Sequence, residues 1–447
     1  MKRATTLAEI KRSLNPKPLK LEELDEFFVE TSDVRDPQLS RRDAIYDRLD
    51  VEPNAKVLLA GHAGSGKSTE LVKFQAEHAD RYVFVRLSMI EDGEAGNASV
   101  EALLVLIVEA VLREMGARDV RLSEKTLTSI HGWFDETFQV KQEELEYTGS
   151  VGGGIDSASG FWGKLLGVTA YLKADIKTGS GLLSKTITRE NKRLPQLAHQ
   201  CGLLIKEAQL ALRQGSQELL LILEDLDKVT VGEADDIFIE NPAALANLPA
   251  KAIFTAPISL FCNPRAAVLD PHFVVETLPM IKVDDQQGKP YKAGRSVIEH
   301  ILSQRVDLEA AVERRALVLA IEKTGGVLRH LFLVLQQAAA AASQAIRRGK
   351  REKERITEAD VRYGLNRLKS DLLRRIGVMG LPKEFEGIST DDLYQRLKEL
   401  VGKPQRVPAD NVNLLLLQSH ALVEYNGEQW HRVHPLVAEH IEMLTGS

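Results

Sequence analysis

The sequence predicts an α/β fold: a parallel sheet between two layers of helices, then a helical region, then a small domain of helices and a hairpin. Three observations carry this. The apolar run Lys56-Val57-Leu58-Leu59-Ala60 leads into Gly61-His62-Ala63-Gly64-Ser65-Gly66-Lys67-Ser68, and a helical pattern follows from Ser68 to His78. A second buried-strand pattern, Leu219-Leu220-Leu221-Ile222-Leu223, ends in the adjacent acids Glu224-Asp225. Around these two, apolar strands alternate with long helices, the rhythm of a sheet covered on both faces.

The first stretch fits G-x-x-x-x-G-K-[ST] in the strand–loop–helix setting that a phosphate-binding loop needs. Its glycines let the backbone curl so that successive N–H groups point inward at phosphate oxygens. The helix N-terminus adds partial positive charge at the same place. Lys67 can reach the terminal phosphates, and Ser68 offers a hydroxyl to magnesium. The expected nucleotide contacts are Gly61, His62, Ala63, Gly64, Ser65, Gly66, Lys67, Ser68 and Thr69. The plain alternative, a glycine turn with an incidental lysine, fits the flanking strand and helix less well. A buried strand delivers carboxylates at its C-terminal end. We assign Glu224, with Ser68, to magnesium and Asp225 to activation of the attacking water. The competing reading is an acidic cap after a core strand.

The remaining elements follow in order. Residues 1–35 read as a polar arm interrupted by Pro16 and Pro18, with one helix near Leu19 to Phe28. Ser40 is a candidate N-cap for a helix whose stripe is Ala44, Ile45 and Leu49. Tyr82 to Leu87 reads as a strand and Val100 to Met115 as an apolar helix. Residues 120–188 break the rhythm as an insertion. Thr126 to Leu145 is helical in pattern; Gly149, Gly152, Gly153, Gly154, Gly160, Gly163 and Gly167 surround Phe161-Trp162. Val168 to Lys177 alternates, which predicts a half-buried strand in an inserted hairpin or small sheet. The Phe-Trp pair either docks a partner or packs on the host domain. Helix Arg189 to Arg213 leads into the acidic strand. Ala252 to Ala256 is a further strand, and Phe273 to Glu276 with Leu278 to Val283 supplies the last. Thr255 either touches the terminal phosphate or satisfies its own strand end.

Ser296 to Ile376 is helical throughout. Within it Gly325-Gly326-Val327-Leu328-Arg329 opens a helix on which Arg329 can reach back to a terminal phosphate through its fork of donors. Arg305 is a second candidate, and a surface ion pair is the bland reading of Arg329. The run Arg347 to Arg355 is strongly basic: a solvated loop, or a grip on nucleic acid. Helices Thr390 to Leu400 and Ala409 to Ser419 precede a hairpin, Ala421 to Tyr425 and Gln429 to Val433, around the type I′ signal Asn426-Gly427. A last helix starts near Pro435. The second helix carries Asp410, Asn411, Asn413 and Gln418 and no lysine or arginine, which favours an intramolecular or protein contact over DNA. The expected domains are 1–35, 36–285 (with the insertion at about 120–188), 286–378 and 379–447.

Composition sets the outer limits. The chain has 447 residues, 44% hydrophobic and 27% charged, which is ample for two or three domains. A net charge of −6 gives no global pull toward nucleic acid or anionic membrane. Cys201 and Cys262 sit in apolar settings and read as reduced core residues. There is no apolar run long enough for a membrane span and no secretory h-region, so the expected compartment is the cytosol.

Together these motifs resemble the signal-transduction ATPases with numerous domains (STAND) and the related origin-recognition-type AAA+ ATPases. The resemblance covers roughly residues 35–447. It rests on Gly61 to Ser68, on Leu219 to Lys228 (similar to the family's hhhhDDLDR), on Thr255, on the Gly325-Gly326-x-x-Arg329 helix start, and on the winged helix after a helical lid. It implies a three-layer αβα P-loop sheet of order 5-1-4-3-2, with ATP and Mg2+ held between that domain and the lid. It also implies a winged helix that responds to nucleotide state. In many such ATPases a basic residue and a helix at the distance of Arg41 to Leu49 flank the adenine. Three departures stand out: Glu224 precedes Asp225, Val327-Leu328 replaces the usual proline, and no long sensor repeats follow. The leading expectation is an ATP-binding and hydrolysing switch acting on a partner protein or on its own assembly, of a kind many bacteria use in signalling and defence. The alternative is a DNA-associated ATPase of loader or transposition-regulator type; a module that holds nucleotide without turnover is the third. No guanine-reading N-K-x-D follows the acids, so adenine is implied by the resemblance.

Overall fold

The computed structural model describes residues 3–36, 40–93, 95–138, 161–178, 193–213, 215–377, 385–425 and 430–446. Helix α1 (Leu7–Ser13) opens the chain, closed at its start by a Thr6/Glu9 capping box. A single turn (Leu21–Glu23) and two short helices (Leu24–Phe27, Ser32–Arg35) complete the arm. The one arm helix expected near Leu19 to Phe28 is thus shorter, and α1 precedes it. Next come α2 (Arg41–Val51), β1 (Lys56–Ala60), α3 (Lys67–Glu77), β2 (Tyr82–Ser88) and α4 (Val100–Ala117). The insertion gives α5 (Glu124–Phe138) and α6 (Phe161–Thr178). They are followed by α7 (Arg193–Arg213), β3 (Glu218–Glu224), β4 (Lys251–Ala256) and β5 (Val274–Thr277).

All five strands pair in parallel in the order β2-β3-β4-β1-β5, which is 5-1-4-3-2 read from the other edge. The two-residue period of each strand sorts its apolar residues between two layers. Val57, Leu59, Phe84, Leu220 and Ile253 pack with Ile45 and Leu49 of α2 and Leu71 and Phe74 of α3. Leu58, Val83, Val85, Leu219 and Leu221 pack with α4 and α7 on the other face. Every residue of β1 and β4 is buried, as a central parallel strand requires.

The insertion is helical where it is described, and the strand expected at Val168 to Lys177 is part of α6. Leu165, Val168, Leu172 and Ile176 are fully or almost fully buried, a stripe at spacings of three and four. The apparent alternation came from Ala170 and Ala174, small residues that count as apolar without facing the core. Thr169, placed on the solvent side by a strand, is 0% exposed. Its hydroxyl donates to the Leu165 carbonyl at 3.0 Å, as a threonine inside a helix does. Trp162 packs on Gly116, its ring 3.4 Å from where a Cβ would stand, so this half of the Phe-Trp pair packs on the host domain. Gly149, Gly152, Gly153, Gly154 and Gly160 lie outside the described residues.

The helical region comprises α8 (Lys292–Ser303), α9 (Arg314–Thr324), α10 (Leu328–Arg347) and α11 (Glu358–Arg375). Its core also takes in Leu7, Ile10 and Leu14 of the arm and Leu416, Leu436 and Ile441 of the last domain. Between α9 and α10, Gly326 has φ +78°, and a Cβ there would stand 1.8 Å from the Ile281 carbonyl oxygen, so only glycine permits this approach. The last domain is α12 (Thr390–Leu400), α13 (Asn411–Gln418), the antiparallel pair β6 (Leu422–Tyr425) and β7 (Trp430–Val433), and α14 (Pro435–Thr445). This is the helices-then-hairpin order of a winged helix; the turn Asn426-Gly427 lies outside the described residues. Among the described residues no helix is long and apolar enough to cross a membrane.

The two readings of the insertion part at Thr169. Thr169→Lys buries an unpaired ammonium in the helical arrangement and should lower the unfolding free energy by about 2–4 kcal/mol, read by urea denaturation. A change within about 0.5 kcal/mol would return this segment to a strand with residue 169 in water.

Candidate nucleotide site

The glycines of the loop take the conformations its motif demands: Gly64 has φ +90° and Gly66 has φ +105°, both costly for residues with a Cβ. Gly66 is the N-cap of α3, so the loop feeds directly into that helix's N-terminus. Lys67 is 4% exposed and its ammonium spends its three donors inside the protein. It donates to the carbonyls of Gly61 (2.7 Å) and His62 (2.9 Å), and it pairs with Asp227 at 2.8 Å. Burial pulls the Lys67 pKa below its usual value, and the Asp227 carboxylate opposes that shift.

The acids at the end of β3 each have a different partner. Glu224 is bound by two nitrogens of Arg86, and Arg86 also reaches Gln75 of α3 at 2.9 Å, so Glu224 lies on the α3 side of the sheet. Asp225 is in the left-handed region at φ +66° and accepts from Ser88 and Lys228. That kink carries the chain round so that the acid two residues on, Asp227, meets Lys67. Thr255 is fully buried, accepts the Leu226 N–H at 3.2 Å and donates to the Leu223 carbonyl at 3.5 Å, which holds the kink in place. In this arrangement Thr255 satisfies the strand ends.

Magnesium can be tested against these donors. Among the described residues no group of three or more His, Cys, Asp or Glu is poised for a metal. Ser68 lines the cavity described next, and Glu224 keeps one buried carboxylate oxygen, Oε1, without a partner. A hard cation that takes most of its ligands from phosphate and water fits that sparse set.

A cavity of about 140 Å³ opens over the loop. Its apolar lining comes from Pro18, Phe27 and Phe28 of the arm and from Ile301, Leu328 and Phe332 of the helical region. Its polar lining includes Lys67, Ser68, Thr69, Asp227, Lys228 and Arg329. α10 touches the loop itself: a Cβ on Gly64 would lie 2.5 Å from the Cβ of Arg329. Arg305 lies between the rings of Phe27 and Phe332 and donates to the Ile301 carbonyl at 2.9 Å.

The arm supplies an arginine that the sequence did not single out. Arg35, 3% exposed, donates to the Ser65 carbonyl of the loop at 2.6 Å and to the Pro279 carbonyl, and its Nε donates to Thr31 at 2.9 Å. Burial lowers its pKa to about 10. Helix α2 does not line the cavity. Arg42 is spent on Glu30, Glu70 and Glu77, and Arg41 on Asp36 and Glu276. The cavity wall on that side comes from the arm instead.

The hairpin grips the same loop. The Glu424 N–H donates to His62 Nε2 at 3.0 Å, and the Tyr425 hydroxyl donates to the Gly325 carbonyl at 2.5 Å. Helix α13 buries Leu414, Leu415, Leu416 and Leu417, and Gln418 accepts from Ser259 (2.7 Å) and donates to the Val229 carbonyl (3.1 Å). Its would-be recognition face is turned into the molecule. Of the basic run, Arg351 is held by Thr357 and Asp360 and Arg355 by the Glu309 and Val312 carbonyls, while Arg347, Arg348, Lys350 and Lys353 are exposed.

Two consequences are measurable. Arg35→Ala strands the buried Ser65 and Pro279 carbonyls and should cost about 2–4 kcal/mol in chemical denaturation; a loss below about 0.5 kcal/mol would mean the arm does not hold the loop. Separately, burial holds His420 and His431 at about 4 and His434 at about 3, and pushes His62 and His330 well down. Histidines depressed in the fold contribute stability above about pH 6.5 that is lost as pH falls toward 4. Glu424, raised by burial to about 7, acts in the opposite sense between about pH 4.5 and 7. Glu70 and Asp236, also raised by burial, act with Glu424. With five rings against three acids, the thermal midpoint should climb from pH 4.5 to 6.5 and then level, and a flat profile would show these rings are not buried neutral.

Comparison with protein-family models and with characterised proteins finds no match. Among solved structures the chain is similar, over nearly its full length, to archaeal Walker-type and Cdc6/Orc proteins. A Walker-type ATPase of Pyrococcus abyssi is 12% identical, with 96% of this chain and 99% of that chain covered and a TM-score of 0.42. The Orc2 protein of Aeropyrum pernix, in ADPNP–ADP complexes, is 13% identical with 91% and 93% covered and a TM-score of 0.40. The Orc1 protein of the same organism, in complex with DNA, is 12% identical with 96% and 95% covered and a TM-score of 0.38.

Proposed function

We propose that this chain is an ATP-binding and hydrolysing P-loop ATPase of AAA+ type whose phosphate loop is read by the lid and the winged domain. One observation carries the reading: a single loop, Gly61 to Ser68, is touched by Arg329 of α10 and accepts a hydrogen bond from the hairpin through His62. The aromatic and aliphatic lining of the cavity suits a nucleoside base, and its Lys67, Lys228 and Arg329 suit phosphates. Lys67 exchanges the Gly61 and His62 carbonyls for phosphate oxygens, and Ser68 and Glu224 Oε1 would hold magnesium, whose chemistry there would be to offset phosphate charge. Asp225 or Asp227 orients the attacking water. Hydrolysis or exchange changes what Arg329 and His62 meet, so the winged domain moves on or off the ATPase domain. The output is contact with a partner protein or a second copy.

A second reading, a DNA-associated ATPase, is favoured by the four exposed cations of the α10–α11 connection. One of the fold neighbours is described in complex with DNA, which makes a duplex the first partner to test. In that reading DNA lies on this connection, since α13 is buried and carries no basic residue.

Steady-state ATP turnover separates the cases. Lys67→Ala should lower turnover about 100-fold, since it removes the charge aimed at the terminal phosphate. Turnover indifferent to duplex DNA supports the protein-partner switch. Turnover raised by DNA, falling steeply with salt and lost on replacing Arg347, Arg348, Lys350 and Lys353 by alanine, supports the second reading. Turnover equal in wild type and Lys67→Ala would remove both.

A further inference from the structure

Behind the phosphate loop lies a second cavity, of about 340 Å³, at the junction of all three units. The loop contributes Gly61 to Ala63, the lid Arg329 and Arg375, and the winged domain His420. Its charges do not cancel. Asp227 is paired with Lys67, Asp371 with Arg374, and Lys228 with Asp225. Among the described residues Arg329 and Arg375 have no hydrogen-bond or ion-pair partner.

His420 supplies a second, independent sign. It is 7% exposed, and its Nδ1 is buried with no partner. Its backbone sits at φ +62°, in the left-handed region that histidine, like asparagine and aspartate, enters more readily than other side chains. Burial lowers its pKa to about 4, with Arg375, Lys67 and Arg329 pushing the same way and Asp227 alone opposing. The His420 ring packs against those of His62 and His330, and its buried, unpartnered Nδ1 shares the cavity with the half-buried Arg329 and the exposed Arg375, donors suited to an anion.

We propose that this cavity is a phosphoryl oxyanion site in which Arg329, Arg375 and the Nδ1–H of His420 donate to one tetrahedral group. That group is the terminal phosphate of bound ATP or inorganic phosphate; the first source, though not the site, rests on the nucleotide reading above. At about 30 Å³ per water the space takes a phosphate with several waters, and its walls from three domains exclude a polymer. Since the anion touches lid and winged domain at once, its arrival ties them together and its departure frees them.

The test uses the full chain as wild type, Arg375→Gln and His420→Asn, the last chosen because asparagine accepts the left-handed backbone. The probes are ADP, a non-hydrolysable ATP analogue and inorganic phosphate. Each variant should weaken the analogue about tenfold, the loss of one charge-assisted hydrogen bond, and leave ADP within about twofold. Millimolar phosphate should raise the thermal midpoint of wild type and not of Arg375→Gln. A response to the analogue alone names the terminal phosphate as the source, and a response to phosphate alone names the free ion. Variants that weaken ADP and analogue equally, or neither, together with no phosphate effect on wild type, overturn the site and leave the nucleotide reading standing. If wild type binds neither nucleotide, that reading fails, and the phosphate shift decides this one by itself.

Discussion

The structure turns on one buried ion pair. Lys67 and Asp227 meet at 2.8 Å with side chains 3% and 6% exposed, and they join the loop after β1 to the turn after β3 across the intervening β4. Burying either charge alone costs several kcal/mol, so each is tolerated because the other is there. The pair needs a sharp turn after β3. Asp225 supplies it by entering the left-handed region, where an aspartate is among the least penalised residues. Thr255 fixes the turn by taking up the Leu226 N–H. What reads in sequence as a row of acids is in space a device for setting the third of them, Asp227, against Lys67.

Three segments remote in sequence converge on that loop. The arm binds its Ser65 carbonyl through Arg35, α10 lies against Gly64, and the hairpin donates to His62. None of these contacts is large, and each involves the backbone or a ring of a segment only eight residues long. A loop held from three sides transmits a change in its contents, because a shift of well under an ångström breaks a hydrogen bond that is 3.0 Å long. For the winged domain to be released in one nucleotide state and held in another, the two states must differ by a few kcal/mol in their contacts. That is the order of two or three such bonds.

The parallel sheet was legible because strand periodicity and the loop motif are local signals, carried by Lys56 to Ser68 and Leu219 to Asp225; its strand order came only from the resemblance those motifs carry. The start of α10 was legible at Gly325-Gly326, where a carbonyl approaches to a distance only glycine allows. Three features were not. Helix α6 looked like a strand because Ala170 and Ala174 count as apolar by composition while contributing little surface. Asp227 stood in plain sight after Leu226, but nothing local says that Asp225 takes a positive φ, and without that kink the wrong acids point at the loop. Arg35 lies in a polar arm whose importance comes entirely from where the chain returns: its partners Ser65 and Pro279 are 30 and 244 residues away. Long-range hydrogen bonds to backbone carbonyls leave no pattern in composition or spacing.

The occupied state of the β3 acids bears on rate. Glu224 is matched to Arg86, and Asp225 to Lys228 and Ser88. A carboxylate oxygen that already accepts from a cation has fewer lone pairs free to meet a water. Under the proposed function, an acid must first give up its cation before it can accept a proton from water. Lys67 must likewise leave two carbonyls to meet a phosphate. These exchanges happen together only if nucleotide brings in enough negative charge to draw Lys67, Lys228 and Arg86 toward itself. Binding and assembly of the catalytic arrangement are then one event. Under the proposed function, an ATPase built this way would turn over slowly and use its nucleotide to change shape, as a switch does; a fast pump would keep its acids free.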